Sequence, residues 1–340
     1  MTAKSGSPLA KLDLDRLFSP EAKRSPEMEE VFAFVQAEDA KLPDQSKMTI
    51  AEQRQVRALS SKRWNADLPQ VRNAERFTIP GLPGAPEIAV ELVTPNDCEP
   101  GCIVYMHGGG WTFGGLESHA NIAYNVAIAT RTRLLSVDYR LAPEHPFPAA
   151  LEDVVAAIRY VARRAESDSE FAGPIGVAGD SAGANLAMAA TMREGETGRR
   201  RPDAVLGFYG VWGCEFDTPS YRRFGVGHGL NEAGMRKFLN FYAPGGDGPG
   251  ALRYDPLVSP LYASEATMAK LPPVYLCAAG LDPLLSDTIA MARKLDAAGA
   301  AYDINVHEGV HHGFMQITSR LPEARRAHQL AGAFWRENVR

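Results

Sequence analysis

The sequence predicts an α/β protein with an eight-stranded, mostly parallel sheet flanked by helices. Two observations lead there. Short, dense apolar runs that end in turns or glycine alternate with amphipathic helical patterns. Two alternating apolar/polar stretches precede them. Alternation marks a strand half open to water, whereas a continuous apolar run marks a strand covered on both faces, as in a parallel sheet between helical layers.

In chain order, residues 1–20 carry no strong pattern and are expected to be poorly ordered. Over 26–63, Met28, Val31, Phe32 and Val35 recur at helical spacing, and charged helix-formers follow. Residues 75–79 and 87–93 alternate as half-buried strands, with a Pro-Asn-Asp turn at 95–97. Six apolar strands are then expected, at 102–106, 134–139, 175–178, 204–209, 274–279 and 301–306. Helical patterns lie at 118–129, 149–165, 182–192, 286–298 and 320–337.

Between Tyr209 and Leu271, about sixty residues offer no core strand. They hold a helical stretch at 231–242 and a loop rich in Gly and Pro. With the N-terminal helices, this region is expected to form a lid over the C-terminal sheet edge, where open α/β sheets bind ligands. The expected organisation is an N-terminal segment with cap helices (1–65), a first core part (66–210), a cap insertion (211–270) and a second core part (271–340).

Composition excludes several function classes. The 340 residues are 45% hydrophobic and 23% charged, with a net charge of −5, which gives no pull toward nucleic acid or anionic membrane. The runs Arg199-Arg200-Arg201 and Arg325-Arg326 are too short to change that. No stretch reaches the roughly 18 consecutive apolar residues of a membrane span, and residues 1–11 lack a signal-peptide core. A cytoplasmic protein without stable membrane association is expected. The four cysteines, Cys98, Cys102, Cys214 and Cys277, are expected as free thiols; Cys98 and Cys102 have no second Cys/His pair at metal-site spacing, so no metal is expected.

The chemistry concentrates at three loops. Gly179-Asp180-Ser181-Ala182-Gly183 follows an expected strand and opens an expected helix. Glycines there permit a sharp turn that lifts the Ser181 hydroxyl above the sheet edge. A mere N-cap serine would need neither His107-Gly108-Gly109-Gly110-Trp111 after an earlier strand nor an acid and a base farther on. That glycine loop lacks the Gly-Lys-Ser/Thr of a phosphate loop. It suits an oxyanion hole built from the N–H groups of Gly109, Gly110 and Ala182; His107 is expected to bond loop backbone. Asp282, and then the doublet His311-His312, come near the ends of the last two expected strands, in the order Ser, acid, His. Chemistry alone leaves the two histidines unresolved, and His307 on the last expected strand is expected to be structural.

Together, Gly179-Asp-Ser-Ala-Gly183, His107-Gly-Gly-Gly110, Asp138-Tyr-Arg-Leu-Ala-Pro-Glu-His145, Asp282-Pro-Leu284 and His312-Gly-Phe314 resemble the hormone-sensitive-lipase-like α/β-hydrolases, from about Arg76 to the C-terminus. The resemblance implies the α/β-hydrolase fold with a helical cap, serine carboxylesterase or short-chain lipase activity, and no cofactor. It assigns Ser181 as nucleophile, Asp282 as acid, His312 as base, and Gly109, Gly110 and Ala182 as oxyanion donors. The family's further acidic position after Asp-Pro-Leu-Leu is Ser286 here; the adjoining Asp287 is the alternative acid.

Trp111, Phe113, Trp212 and Phe216 are candidates for the substrate pocket, with ordinary core packing as the competing reading. The loop Asp138–Glu144, with its own Arg140 and the prolines after it, is expected as an internally bonded rigid turn rather than a carboxylate pair. The expected substrate is a small or medium ester. Amides, carbamates or lactones would suit the same triad, and a non-catalytic ligand-binding protein on this scaffold would show a broken one. A homodimer through an edge strand or the last helix stays open.

Overall fold

The computed structural model describes residues 6–197, 199–248 and 250–339. Its eight strands are β1 (Asn73–Ile79), β2 (Ile88–Thr94), β3 (Glu99–Met106), β4 (Thr132–Val137), β5 (Ile175–Asp180), β6 (Ala204–Phe208), β7 (Val274–Leu281) and β8 (Tyr302–His311). They form one sheet in the order β1-β2-β4-β3-β5-β6-β7-β8. The pairs β1/β2 and β2/β4 are antiparallel, and every later pair is parallel. The helical cap expected above the sheet is present.

Each face of the sheet buries a core. Along β3, Cys102, Val104 and Met106 enter one core, and Ile103 and Tyr105 the other. The first core is closed by helices Ala149–Ser167, Ala182–Glu196 and Leu285–Ala298. Helices Ala120–Thr130 and Pro322–Asn338 close the second. The four cysteines are free. No described helix is long and apolar enough to cross a membrane.

Three expectations need correction. Residues 1–20 are not featureless: Pro8–Lys11 and Leu14–Leu17 are short helices that bury Leu9 and Leu17, while 1–5 lie outside the described residues. The helical pattern over 26–63 is two helices, Pro26–Asp39 and Ile50–Ser61, with Pro43 between them and a Thr49/Glu52 capping box opening the second. The last strand runs on to His311, so the histidine doublet straddles its end.

Two parts of the cap fix the roof. Helix Glu232–Tyr242 is capped by the Asn231 side chain and buries Met235, Leu239 and Tyr242 along one face. From helix Ile50–Ser61, Arg54 reaches down to the core, donating to the carbonyls of Thr112 (2.8 Å) and Ala142 (2.9 Å) and to the Glu144 carboxylate (2.6 and 2.9 Å).

Helices Ala120–Thr130 and Pro322–Asn338 meet so closely at Gly332 that a Cβ there would overlap the Ala129 carbonyl. Gly332→Ala is therefore expected to destabilise the fold by about 1–3 kcal/mol through overpacking, despite alanine's better helix propensity. Urea denaturation would measure it; an unchanged midpoint would mean that the helices separate without cost.

Candidate active site

The site is built on the passage from β5 to helix Ala182–Glu196. Ser181 has φ 56° and ψ −118°, a conformation that non-glycine residues rarely adopt. The surroundings hold it there. Its N–H donates to the Phe208 carbonyl (2.8 Å), and its carbonyl accepts from Val211 (3.3 Å) and Asn185 (3.2 Å). The turn also has no room for side chains: a Cβ on Gly183 would overlap the Met106 carbonyl, and one on Gly179 would overlap the Gly183 backbone.

The turn, β7 and β8 deliver three side chains to one point. The Ser181 Oγ lies 2.9 Å from His312 Nε2, and the Asp282 Oδ2 lies 2.7 Å from His312 Nδ1. With Nδ1–H donating to Asp282, Nε2 is free to accept the serine proton. Asp282 is nearly inaccessible, and its other oxygen accepts the Leu284 N–H (2.9 Å). The Tyr209 ring packs edge-on to His312 at 4.9 Å, a support that the motifs do not reveal.

Asp287 and His311 are occupied elsewhere. Asp287 accepts the N–H groups of Gly213 (3.0 Å) and Trp212 (3.3 Å), bracing the loop after β6. Ser286, at the position where the resemblance places an acid, exchanges hydrogen bonds with cap residue Ser220. His311 accepts from Arg24 Nε at 2.8 Å, and Arg24 also donates to the Gly227 carbonyl (2.6 Å). Burial, reinforced by the Arg24 charge and His228, pushes the His311 pKa down to about 3, so it is a neutral acceptor.

The glycine loop faces the same point. Gly109 and Gly110 take φ of 112° and 61°, and their N–H groups donate to no described residue. Their carbonyls are used within the loop, by the Phe113 N–H (2.9 Å) and the Thr112 hydroxyl (3.0 Å). Ala182 is the first residue of its helix, where the N–H has no intrahelical acceptor. Asp180 anchors the loop by accepting the Gly108 N–H (2.9 Å) and the Tyr105 hydroxyl (2.6 Å). His107 bonds the Gly108 carbonyl at 2.8 Å and stacks on Tyr139.

Ser181, His312, Gly109 and Gly110 line a cavity of about 590 Å³. Of the four aromatic residues expected around the substrate, only Phe113 lines it. Trp111 is fully buried, stacked on Tyr242 at 4.4 Å. Trp212 is buried against Gly207 and Gly210. Phe216 packs against Tyr221 and beneath the guanidinium of Arg236. The apolar wall from the cap is instead Leu230, Met235 and Phe238. The Asp138–Glu144 turn is also less self-contained than expected: Arg140 bonds Asp153 (2.8–3.0 Å) in the next helix, and Glu144 pairs with Arg54. Asp138 lines the cavity.

Residues 103–316 match a family described as alpha/beta hydrolase fold. The chain belongs to this α/β-hydrolase family. A carboxylesterase of Mycobacterium tuberculosis, NlhH, is 33% identical over 263 residues, which cover 76% of this chain and 81% of that one. Among solved structures, the ester-hydrolase EH1AB1 from the metagenome of Lake Arreo is 30% identical, with a TM-score of 0.83, over 92% of this chain and 98% of its own. An esterase of the archaeon Pyrobaculum calidifontis is 29% identical, with a TM-score of 0.81, over 94% and 100%.

Buried Asp287 is expected to make the stability of this hydrolase-family chain depend on pH. Burial pushes its carboxyl from 3.8 up to about 7, against the pull of the two N–H groups it accepts. Its protonated form favours the fold; that contribution is full below pH 3.8 and is lost as pH rises through about 7. Buried His107, His119 and His328 act oppositely, because burial lowers their pKa values and their support is lost as pH falls. Comparing wild type with Asp287→Asn separates the two effects. The variant is expected to gain stability over wild type between pH 4 and 7, by up to about 1.4 kcal/mol per pH unit. Urea midpoints across that range measure it, and a pH-independent difference would mean that the carboxyl ionises freely.

Proposed function

We propose that the protein is a serine carboxylesterase that hydrolyses short- to medium-chain carboxylic esters through an acyl-enzyme intermediate. The observation that carries this reading is the unbroken hydrogen-bonded line Asp282–His312–Ser181, which opens into the cavity that Gly109 and Gly110 also line. Likeness to chains named carboxylesterase and esterase supports ester hydrolysis in general. In this reading, residues 1–65 and 211–270 supply the cap above the site.

In the acylation step, His312 Nε2 takes the Ser181 proton as Oγ attacks the ester carbonyl. The carbonyl oxygen gains negative charge and is held by the N–H groups of Gly109, Gly110 and Ala182, close to the positive end of helix Ala182–Glu196. Each such donor contributes about 3 kcal/mol to lowering the barrier. Asp282 fixes the His312 tautomer and stabilises its cationic form. His312 then protonates the leaving alcohol as the C–O bond breaks. In the second step it removes a proton from water, which attacks the acyl carbonyl and releases the acid and Ser181. The cavity size suits a small or medium acyl or alcohol group.

A p-nitrophenyl ester series from acetyl to dodecanoyl tests the reading. Wild-type activity is expected to peak between acetyl and hexanoyl. Ser181→Ala is expected to lower kcat by about 10⁶ and Asp282→Asn by about 10⁴. Turnover that survives Ser181→Ala, or none on any ester, would overturn it.

A further inference from the structure

Three arginines line the cavity above Ser181: Arg54, Arg57 and Arg76. Two are committed. Arg54 is spent on two carbonyls and Glu144, and Arg76 on Glu91 (2.9 Å) and Glu117 (3.1 Å). Arg57 differs: among the described residues, its guanidinium has no hydrogen-bond acceptor and no carboxylate within ion-pair distance. Asp39 attracts it from farther off, but that carboxylate is bound to Arg63.

Arg57 is also held in place. Its guanidinium lies 4.0 Å from the centroid of the Phe113 ring. Phe113 belongs to the glycine loop, donates its N–H to Gly109, and meets the cap residue Phe238 edge-on at 5.8 Å. The charge is therefore stationed beside the loop. Arg57 is exposed overall, but the protein packed around its guanidinium withdraws part of its water and lowers its pKa. A guanidinium carries five N–H donors and stays charged; a carboxylate can satisfy two of them in a planar fork.

Among the described residues, the other charged side chain lining the cavity without a hydrogen-bond or ion-pair partner is Asp138. It lies by Gly115, where a Cβ would be 3.2 Å from its Oδ1; partial burial raises its pKa, and the Arg76 charge opposes that rise. The cavity thus presents a free cation at the Phe113 side and an anion at the Gly115 side.

We propose that Arg57 is a specificity-determining residue that binds a carboxylate carried by the ester substrate away from the bond that is cleaved. This rests on the esterase reading above and narrows its substrate class to anionic esters.

Two substrate pairs test it, one with the charge on the acyl side and one on the alcohol side. The first is p-nitrophenyl hydrogen adipate against its methyl ester; the second is carboxymethyl butyrate against its methyl ester. Arg57→Met keeps the apolar stem on Phe113 without the charge. In at least one pair, it is expected to reduce kcat/KM at least tenfold more for the acid than for the methyl ester, chiefly through KM. Arg57→Lys is expected to recover part of the difference. Equal effects on acid and methyl ester in both pairs would overturn the proposal. Binding gives a readout independent of turnover: monomethyl adipate should raise the Tm of Ser181→Ala, dimethyl adipate should not, and adding Arg57→Met should abolish the shift. Should wild type cleave no ester, the esterase reading fails while this binding test still decides on Arg57. Absence of a charge-selective shift there would overturn the proposal.

Discussion

No side-chain atom fits between the Ser181 turn and the end of β3, and the rest of the site depends on that contact. Gly183 lies against the Met106 carbonyl, so the start of helix Ala182–Glu196 is brought beside the loop that begins at His107. In the proposed reading, that closeness is what would let the N–H groups of Gly109, Gly110 and Ala182 serve one oxygen. The approach also forces Ser181 into a conformation whose cost is about 1–3 kcal/mol. Neighbours absorb that cost: Phe208 and Val211 bond the Ser181 backbone, and the Asn185 side chain ties the helix to Val211 and Val258. Asp180, buried and bonded to both Tyr105 and Gly108, locks turn and loop together.

The parallel sheet was legible because burial on both faces leaves a run such as Val274–Leu281 with scarcely a polar residue. The candidate site was legible for a related reason: sharp turns at strand ends require glycines at particular spacings, and Ser181, Asp282 and His312 stand beside such turns. The surroundings were not. Trp111, Trp212 and Phe216 carry the same apolar signal in a pocket wall or in a packed core, and their partners lie far away in sequence. Met235 and Phe238 read as one face of a helix and Leu230 as the loop before it, with nothing to show that they border a cavity. The segments Pro8–Lys11 and Leu14–Leu17 are too short to express a helical period at all.

Long-range polar contacts escaped the sequence for a different reason. Arg54 and Arg24 look like surface cations on or near a helix, yet each ties distant segments together. Arg54 joins an N-terminal helix to the glycine loop through Thr112 and to the following turn through Ala142 and Glu144. Arg24 joins the N-terminal segment to His311 and to the cap carbonyl of Gly227. Asp287, the alternative acid, has the same side chain as Asp282, but it bonds the N–H groups of Trp212 and Gly213 whereas Asp282 bonds His312.

The contact between Phe238 and Gly110, where a Cβ would lie 2.5 Å from the ring, has a consequence for how such a protein can diverge. Leu230 and Met235 line the cavity but belong neither to the hydrogen-bonded line Asp282–His312–Ser181 nor to the glycine loop, so descendants could exchange them and keep that line. Phe238 differs. Its ring rests on the loop that would cradle the developing charge, so a lineage that alters this residue to admit a new substrate alters its reactivity in the same step.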